Sequence, residues 1–205
     1  MANSSTNSQE TEVKLHTPEL EGMHDRLLAA GAVLTTARTL ERNMRYENAE
    51  RTLVKQGVVL RLRQDNTFRL TYKAPGKVAS GIMTRDELEV EISDYDTMDA
   101  ILQRLGFRPH MAYEKYRTTY HLYGAEIVLD EMPFGNFMEI EGDNETIERI
   151  IAELGLEKHR RVPHSYSDLF DFVRRHMGLA MADLTFDAFD GLTVPEEALF
   201  PSGEM

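Results

Sequence analysis

The chain has no cysteine among its 205 residues. That excludes disulfides, thiolate catalysis and sulfur-ligated metals, and it leaves carboxylates and histidines as the strong metal ligands. Its seven histidines, at positions 16, 24, 110, 121, 159, 164 and 176, show no metal-binding spacing, and each reads as a surface or core residue. There is no Gly-x-Ser-x-Gly elbow to suggest serine-histidine catalysis. There is no Gly-x-x-x-x-Gly-Lys loop either, so any bound phosphate must be held by side chains rather than backbone amides. No apolar run is long enough for a membrane span. Residues 1–9 are polar and lack the basic start and apolar centre of a signal peptide, so they are expected to be disordered and the chain cytoplasmic.

Positive charge is scarce, with 23 Lys and Arg against 35 Asp and Glu and a net charge of -12. This argues against a general nucleic-acid binder or an anionic-membrane binder. Half of the excess lies in residues 178–205, which carry six acidic and no basic side chains. That acidic tail is too rich in Leu, Phe and Val for a typical linker. Phe186, Phe189, Leu192 and Phe200 are expected to dock on the domain or on a second subunit in a homodimer, with disorder past Pro201. An internal cluster of Arg and Lys can still recognise a small polyphosphate, provided the acids beside it hold metal ions.

What the chain has instead is alternation. Glu10-Thr11-Glu12-Val13-Lys14 places three charges on one face of a strand. The pattern returns at Leu60-Arg61-Leu62-Arg63, at Thr71-Tyr72-Lys73, through residues 85–91, at Lys115-Tyr116-Arg117 and at Glu139-Ile140-Glu141. A single such strand is ordinarily a solvated outer face. Six of them, with Val13, Leu15, Leu60, Leu62, Leu70, Tyr72, Leu88, Val90, Ile92 and Ile140 on the other side, predict a curved or closed sheet with charge inside and helices outside.

Helices are expected after Thr17-Pro18, where Thr can cap and Pro can start a helix, after Asp94 or Asp96, after Asp143 or Asn144, and over residues 165–177. The first three end at Gly31, Gly106 and Gly155, each following a Glu-x-Glu strand, an echo of one strand-helix-strand unit. Residues 33–48 read as extended, with Arg42 and Arg45 exposed or lumenal. Asn48-Ala49-Glu50 and Lys55-Gln56-Gly57 read as turns, residues 64–66 as a hairpin turn and residues 76–84 as a mobile loop.

The alternating positions hold seven cations, Lys14, Arg61, Arg63, Lys73, Arg85, Lys115 and Arg117. They also hold eight anions: Glu10, Glu12, Glu87, Glu89, Glu91, Asp130, Glu139 and Glu141. A purely structural ion network would carry a desolvation penalty of roughly several kcal/mol per ion. A functional cause accounts for it better, because clustered carboxylates suit Mg²⁺ or Mn²⁺ and Arg and Lys clamp phosphoryl oxygens. Together they specify a metal-bound polyphosphate.

These residues resemble the CYTH family, also called triphosphate tunnel metalloenzymes, over residues 10–175. Its Glu-x-Glu-x-Lys is similar to Glu10, Glu12 and Lys14, its Leu-Arg-hydrophobic-Arg to residues 60–63 and its Lys-x-Pro to Lys73 and Pro75. Arg-x-Glu-x-Glu-x-Glu is similar to residues 85–91, Lys-x-Arg to Lys115 and Arg117, and Phe-x-Glu-Ile-Glu to residues 137–141. The resemblance implies an α+β fold, an eight-stranded antiparallel β tunnel lined by charge with helices outside, over residues 10–177. It implies Mg²⁺ or Mn²⁺ on Glu10, Glu12, Glu89, Asp130, Glu139 and Glu141. It also implies phosphates on Arg61, Arg63, Lys73, Arg85, Lys115 and Arg117, with Lys14 at the reacting phosphoryl group. Ser165-Tyr166-Ser167-Asp168-Leu169 and Leu129-Asp130 resemble the class IV adenylate cyclase branch, whereas the Met132-Pro133-Phe134-Gly135 hairpin is shorter than the cyclase pattern. Cyclisation of ATP to cyclic AMP and pyrophosphate is the leading expectation. A triphosphatase and a non-catalytic nucleotide or polyphosphate sensor are the alternatives.

Overall fold

A computed structural model describes residues 9–201. Residues 1–8 and those past Pro201, where disorder was expected, lie outside the described residues; Gln9 begins the first strand rather than ending a disordered segment. Among the described residues nine strands form in chain order: β1 (Gln9–His16), β2 (Val33–Glu47), β3 (Val59–Gln64), β4 (Phe68–Lys73), β5 (Lys77–Ala79), β6 (Ile82–Ile92), β7 (Arg108–Leu122), β8 (Ala125–Met132) and β9 (Gly135–Glu141). Pairing runs β1-β9-β8-β7-β2-β3-β4-β6, and β6 pairs back onto β1. Every ladder in that ring is antiparallel. Eight strands therefore close into a barrel with no open edge, and β5 pairs with β6 outside the ring.

Residues 76–84 are thus not a loop. Ser80 and Gly81, at φ 53° and 77°, form a two-residue hairpin turn that joins β5 to β6 and extends β6 three residues ahead of Arg85.

The outer face is covered by helices α1 (Met23–Ala29), α3 (Tyr95–Arg104), α4 (Asn144–Glu153) and α5 (Tyr166–Met177); α2 (Thr52–Lys55) is a single turn where the sequence suggested only a turn. Leu27 of α1 and Ile147 and Ile150 of α4 are fully buried against Val13, Ile127 and Ile140. Each such side chain stabilises the fold by about 1.5–3 kcal/mol. Asp94 and Asp143 cap α3 and α4 through the amides of Thr97 and Thr146. Thr17 does not cap α1, whose first residue lies five positions past Pro18 with Gly22 at its N-cap; the Thr17 hydroxyl bonds the Leu15 carbonyl instead.

The echo of three units is real in the backbone. Gly31, Gly106 and Gly155 all take positive φ. The residue after each donates to a carbonyl five positions back: Ala32 to Leu27, Phe107 to Leu102 and Leu156 to Ile151. This is the Schellman closure that turns a helix back onto the barrel.

Helix α3 covers Tyr46 and Leu62, with Leu60 and Leu70 at its margin. It does not reach Tyr72, Leu88 and Val90, which were expected under helices and are 39%, 56% and 55% exposed. The tail docks on the domain: Leu184, Phe189, Ala198 and Leu199 are buried with Leu169, Phe170 and Val173 of α5. Leu184 also exchanges backbone hydrogen bonds with Ala112 and Glu114 of β7. Among the described residues no helix is long and apolar enough to cross a membrane.

Candidate active site

Strand parity turns every second side chain of the closed ring inward. The bore encloses a cavity of about 1100 Å³ lined by Glu10, Glu12 and Lys14 of β1, by Arg61 and Arg63, by Lys73, by Arg85, Glu87 and Glu89, by Lys115 and Arg117, and by Glu139 and Glu141. Of the expected inward charges, Glu91 is exposed and off this lining. Asp130 is fully buried behind Lys115 and Arg117.

The cations are held by anions. Arg85 reaches Glu10 at 2.8 Å and Glu12 at 2.9 Å. Lys73 lies 3.1 Å from Glu10 and 2.6 Å from Glu87. Arg117 bridges Asp130 and Glu139 at 2.6 and 2.7 Å. Arg61 donates to the Tyr113 hydroxyl and to Thr71, while its buried Nε has no hydrogen-bond partner among the described residues. Such a donor, desolvated and unused, fits an incoming phosphoryl oxygen.

The carboxylates divide into two groups. Asp130 accepts from Lys115, from two nitrogens of Arg117 and from the Tyr166 hydroxyl, so both its oxygens are engaged. Glu89 accepts from Arg63 and Thr71, and it lies four residues, about 13 Å, along β6 from the Arg85 that pairs with Glu10. Glu89 is thus set apart along β6, whereas Asp130 shares one Arg117 nitrogen with Glu139, at 2.6 and 2.7 Å, its own two oxygens engaged by cations and Tyr166. Glu10, Glu12, Glu139 and Glu141 do gather: Glu12 faces Glu141 across β1 and β9, and Lys14 faces Glu139 in the next lumenal pair.

Like charges directly opposite on a sheet repel. Burial, then Glu139 and Glu10, push the Glu12 carboxyl up. Burial with Glu10, Glu126 and Glu12 pushes Glu141 up to about 7. Burial would also raise Glu10, but a hydrogen bond with Glu87 and the charges of Lys73 and Arg85 bring it down to about 2; its partner Glu87 rises to about 7. Burial likewise opposes ionisation of Glu139, yet Lys14, Arg117 and Lys115 hold it well below the usual range. These carboxylates are oxygen ligands, the donor type that suits a hard divalent ion. Among the described residues no three acids or histidines already converge to ligand distance; Arg85 bridges Glu10 and Glu12, and Lys73 bridges Glu10 and Glu87.

Lys14 ends the charged run of β1 deep in the bore. Its ammonium donates to the His164 carbonyl at 3.1 Å, lies 3.3 Å from Glu139 and sits 4.2 Å above the Tyr166 ring. The N-terminal turn of α5 thus lines the bore. Ser165 starts it with a reciprocal capping box on Asp168, and Ser167 accepts from Arg45.

Glu41, Tyr113 and Tyr166 also belong to the site, although charge alternation did not single them out. Glu41 is 2% exposed on β2 and lies 3.6 Å from Lys115 and 3.7 Å from Arg63. Burial opposes its charge, but Lys115, Arg117, Arg61 and Arg63 hold it far below the usual range. Arg45 proves lumenal and Arg42 exposed.

The sequence pattern of the CYTH domain matches residues 8–166. A Methanocaldococcus jannaschii protein named "putative adenylate cyclase" is 29% identical over 136 residues, 60% of this chain and 77% of that one. A solved Vibrio parahaemolyticus structure of the same name superposes with a TM-score of 0.69 at 20% identity, covering 80% of this chain and 99% of its own. A Hippeastrum adenylyl cyclase homologue described as having a dominant triphosphatase activity matches at 0.60 and 20% identity, over 79% and 95%. At that identity the two structures speak to the fold alone.

Proposed function

Since the chain belongs to the CYTH domain family, a family of metal-dependent triphosphate tunnel enzymes, we propose that its bore takes a metal-bound nucleoside triphosphate and cyclises ATP to cyclic AMP and pyrophosphate. The observation that carries this is a lining that brings Arg61, Arg63, Lys73, Arg85, Lys115 and Arg117 together with acids among which Glu12 faces Glu141. Arg61, Arg63, Lys73, Arg85, Lys115 and Arg117 hold phosphoryl oxygens. Glu10, Glu12, Glu139 and Glu141 hold Mg²⁺ or Mn²⁺. A divalent ion there neutralises charge on the phosphoryl oxygens. Asp130 acts one layer back, as the anion that fixes Lys115 and Arg117, while Glu89 fixes Arg61 and Arg63 from the lining itself.

Lys14, pinned by Glu139, His164 and Tyr166, faces the reacting phosphoryl group and offsets charge developing on it. In cyclisation the ribose 3′-oxygen bonds to the α-phosphorus, the bond from that phosphorus to the β-bridging oxygen breaks, and pyrophosphate leaves. The hydroxyl proton needs an acceptor. Glu87, a lining carboxyl outside the metal set, is available for that task.

The same carboxyl could take a proton from water, which is what favours hydrolysis of the triphosphate as a second reading; the nucleophile's alignment decides between them. Chromatography of the products formed from ATP separates the two. Cyclic AMP with pyrophosphate supports the cyclase. ADP with orthophosphate, or cleavage of inorganic triphosphate with no cyclic product, supports the hydrolase. Tight metal-dependent binding with no product supports a sensor.

A further inference from the structure

One wall of the bore is not charged, and it lies level with Lys14. The lumenal row that starts at Lys14 runs to Glu139 on β9, then to Val128 on β8, Thr119 on β7 and Thr36 on β2, each the register partner of the one before. All five line the cavity. The first two are charged and the last three are not. Along β7 the lumenal residue on one side of Thr119 is Arg117, and on the other it is His121, beside Glu126. Two residues on a strand advance about 7 Å, so the strip begins about 7 Å from a phosphate-holding cation.

A phosphate has no reason to lie on this strip. It offers no cation of its own. Its own chemistry is mixed. The Thr36 and Thr119 hydroxyls can donate or accept, as a sugar hydroxyl or a base edge requires, whereas Val128 and the threonine methyls give apolar contact. The Thr35 hydroxyl is used internally, on the Thr119 carbonyl at 3.2 Å. The cavity of about 1100 Å³ is ample, since pockets of roughly 300–1,000 Å³ hold whole drug-sized ligands.

Building on the triphosphate reading above, we propose that Thr36, Thr119 and Val128 form the seat of the substrate's nucleoside, so that the bore discriminates a nucleoside triphosphate from inorganic triphosphate along this strip. The nucleoside is favoured over a cationic organic group because the strip itself is neutral and hydroxyl-bearing.

The test is isothermal titration of the full chain, with Mn²⁺ present, by ATP, inorganic triphosphate and thiamine triphosphate. Thr36→Phe fills the strip from a half-buried position; it is expected to raise the ratio of the ATP to the inorganic triphosphate dissociation constant at least about tenfold. Thr119→Val removes one hydroxyl at constant shape and is expected to raise the same ratio roughly three- to tenfold. Ratios within about twofold of wild type in both variants, with wild-type melting curves, would overturn the proposal. An equal or larger effect on thiamine triphosphate would overturn its nucleoside form. Wild-type protein that binds inorganic triphosphate but not ATP refutes the strip alone; wild-type protein that binds no triphosphate refutes the reading beneath it.

Discussion

Replacing Asp130 by Asn separates a positioning anion from a metal ligand. Asp130 is fully buried, and its two oxygens take hydrogen bonds from Lys115 at 3.1 Å, from Arg117 at 2.7 and 2.6 Å and from Tyr166 at 2.8 Å. The amide keeps the shape but removes the charge and turns an NH₂ toward donors, leaving two buried cations short of an anion. Breaking a buried ion pair on one side costs roughly 3–5 kcal/mol. At roughly 2–4 °C per kcal/mol for a chain of this size, Tm falls by roughly 6–20 °C. Triphosphate affinity falls too, because Lys115 and Arg117 lose their anchor, while Mn²⁺ affinity without triphosphate stays near wild type. Urea unfolding gives the stability and titration calorimetry gives the metal constant. An Asp130→Asn variant as stable as wild type that no longer binds Mn²⁺ would refute this reasoning and return Asp130 to the metal set.

Tyr166→Phe keeps the ring under Lys14 and loses the bond to Asp130, a charged acceptor, at about 1.5–3 kcal/mol of stability; Tyr166→Leu also loses the ring, so turnover is expected to fall further in Leu than in Phe, as steady-state rates on ATP would show. Glu87 and Glu141 titrate at about 7 against an ordinary 4.5. The folded chain therefore keeps protons that the unfolded chain has released, and stability falls as pH rises from about 4.5 to 7. A divalent ion needs the ionised form, so Mg²⁺ should raise Tm more at about pH 8 than at about pH 5.5, and Glu141→Gln should shrink that difference; equal increments in a melting series would contradict it. Leu184→Asp puts a charge into the fully buried seam between tail and β7, which should lower Tm and expose residues 178–201 to limited proteolysis.

The barrel was legible because parity is a local rule: a charged residue at every second position of six strands has one economical explanation, and the ring delivers it. Parity fails where a strand is irregular. Strand β2 shifts register between Leu34 and Thr36, between Thr36 and Thr39 and between Arg45 and Tyr46, so nothing in its sequence distinguished inward Glu41 from outward Arg42. The acidic set was read by residue type, whereas membership depends on which cations lie nearby. Asp130 is compensated by Lys115 and Arg117 and Glu89 by Arg61 and Arg63, contacts set by strand register that the sequence does not spell out. The Ser80-Gly81 turn was short enough to pass for part of a loop. The exposed apolar face at Leu88 and Val90 could not be foreseen, because it depends on where α3 stops rather than on β6.

The most direct measurement follows phosphorus resonances of ATP incubated with wild-type protein and Mg²⁺ or Mn²⁺, the metal being stripped on a chelating resin before each spectrum. Parallel incubations contain chelator throughout, or a Glu139→Ala, Glu141→Ala double variant. Metal-dependent appearance of pyrophosphate and a cyclic monophosphate, abolished by chelator and lost in the double variant, is the expected result. Full activity in the double variant, or no consumption of ATP or inorganic triphosphate with either metal, would contradict the account.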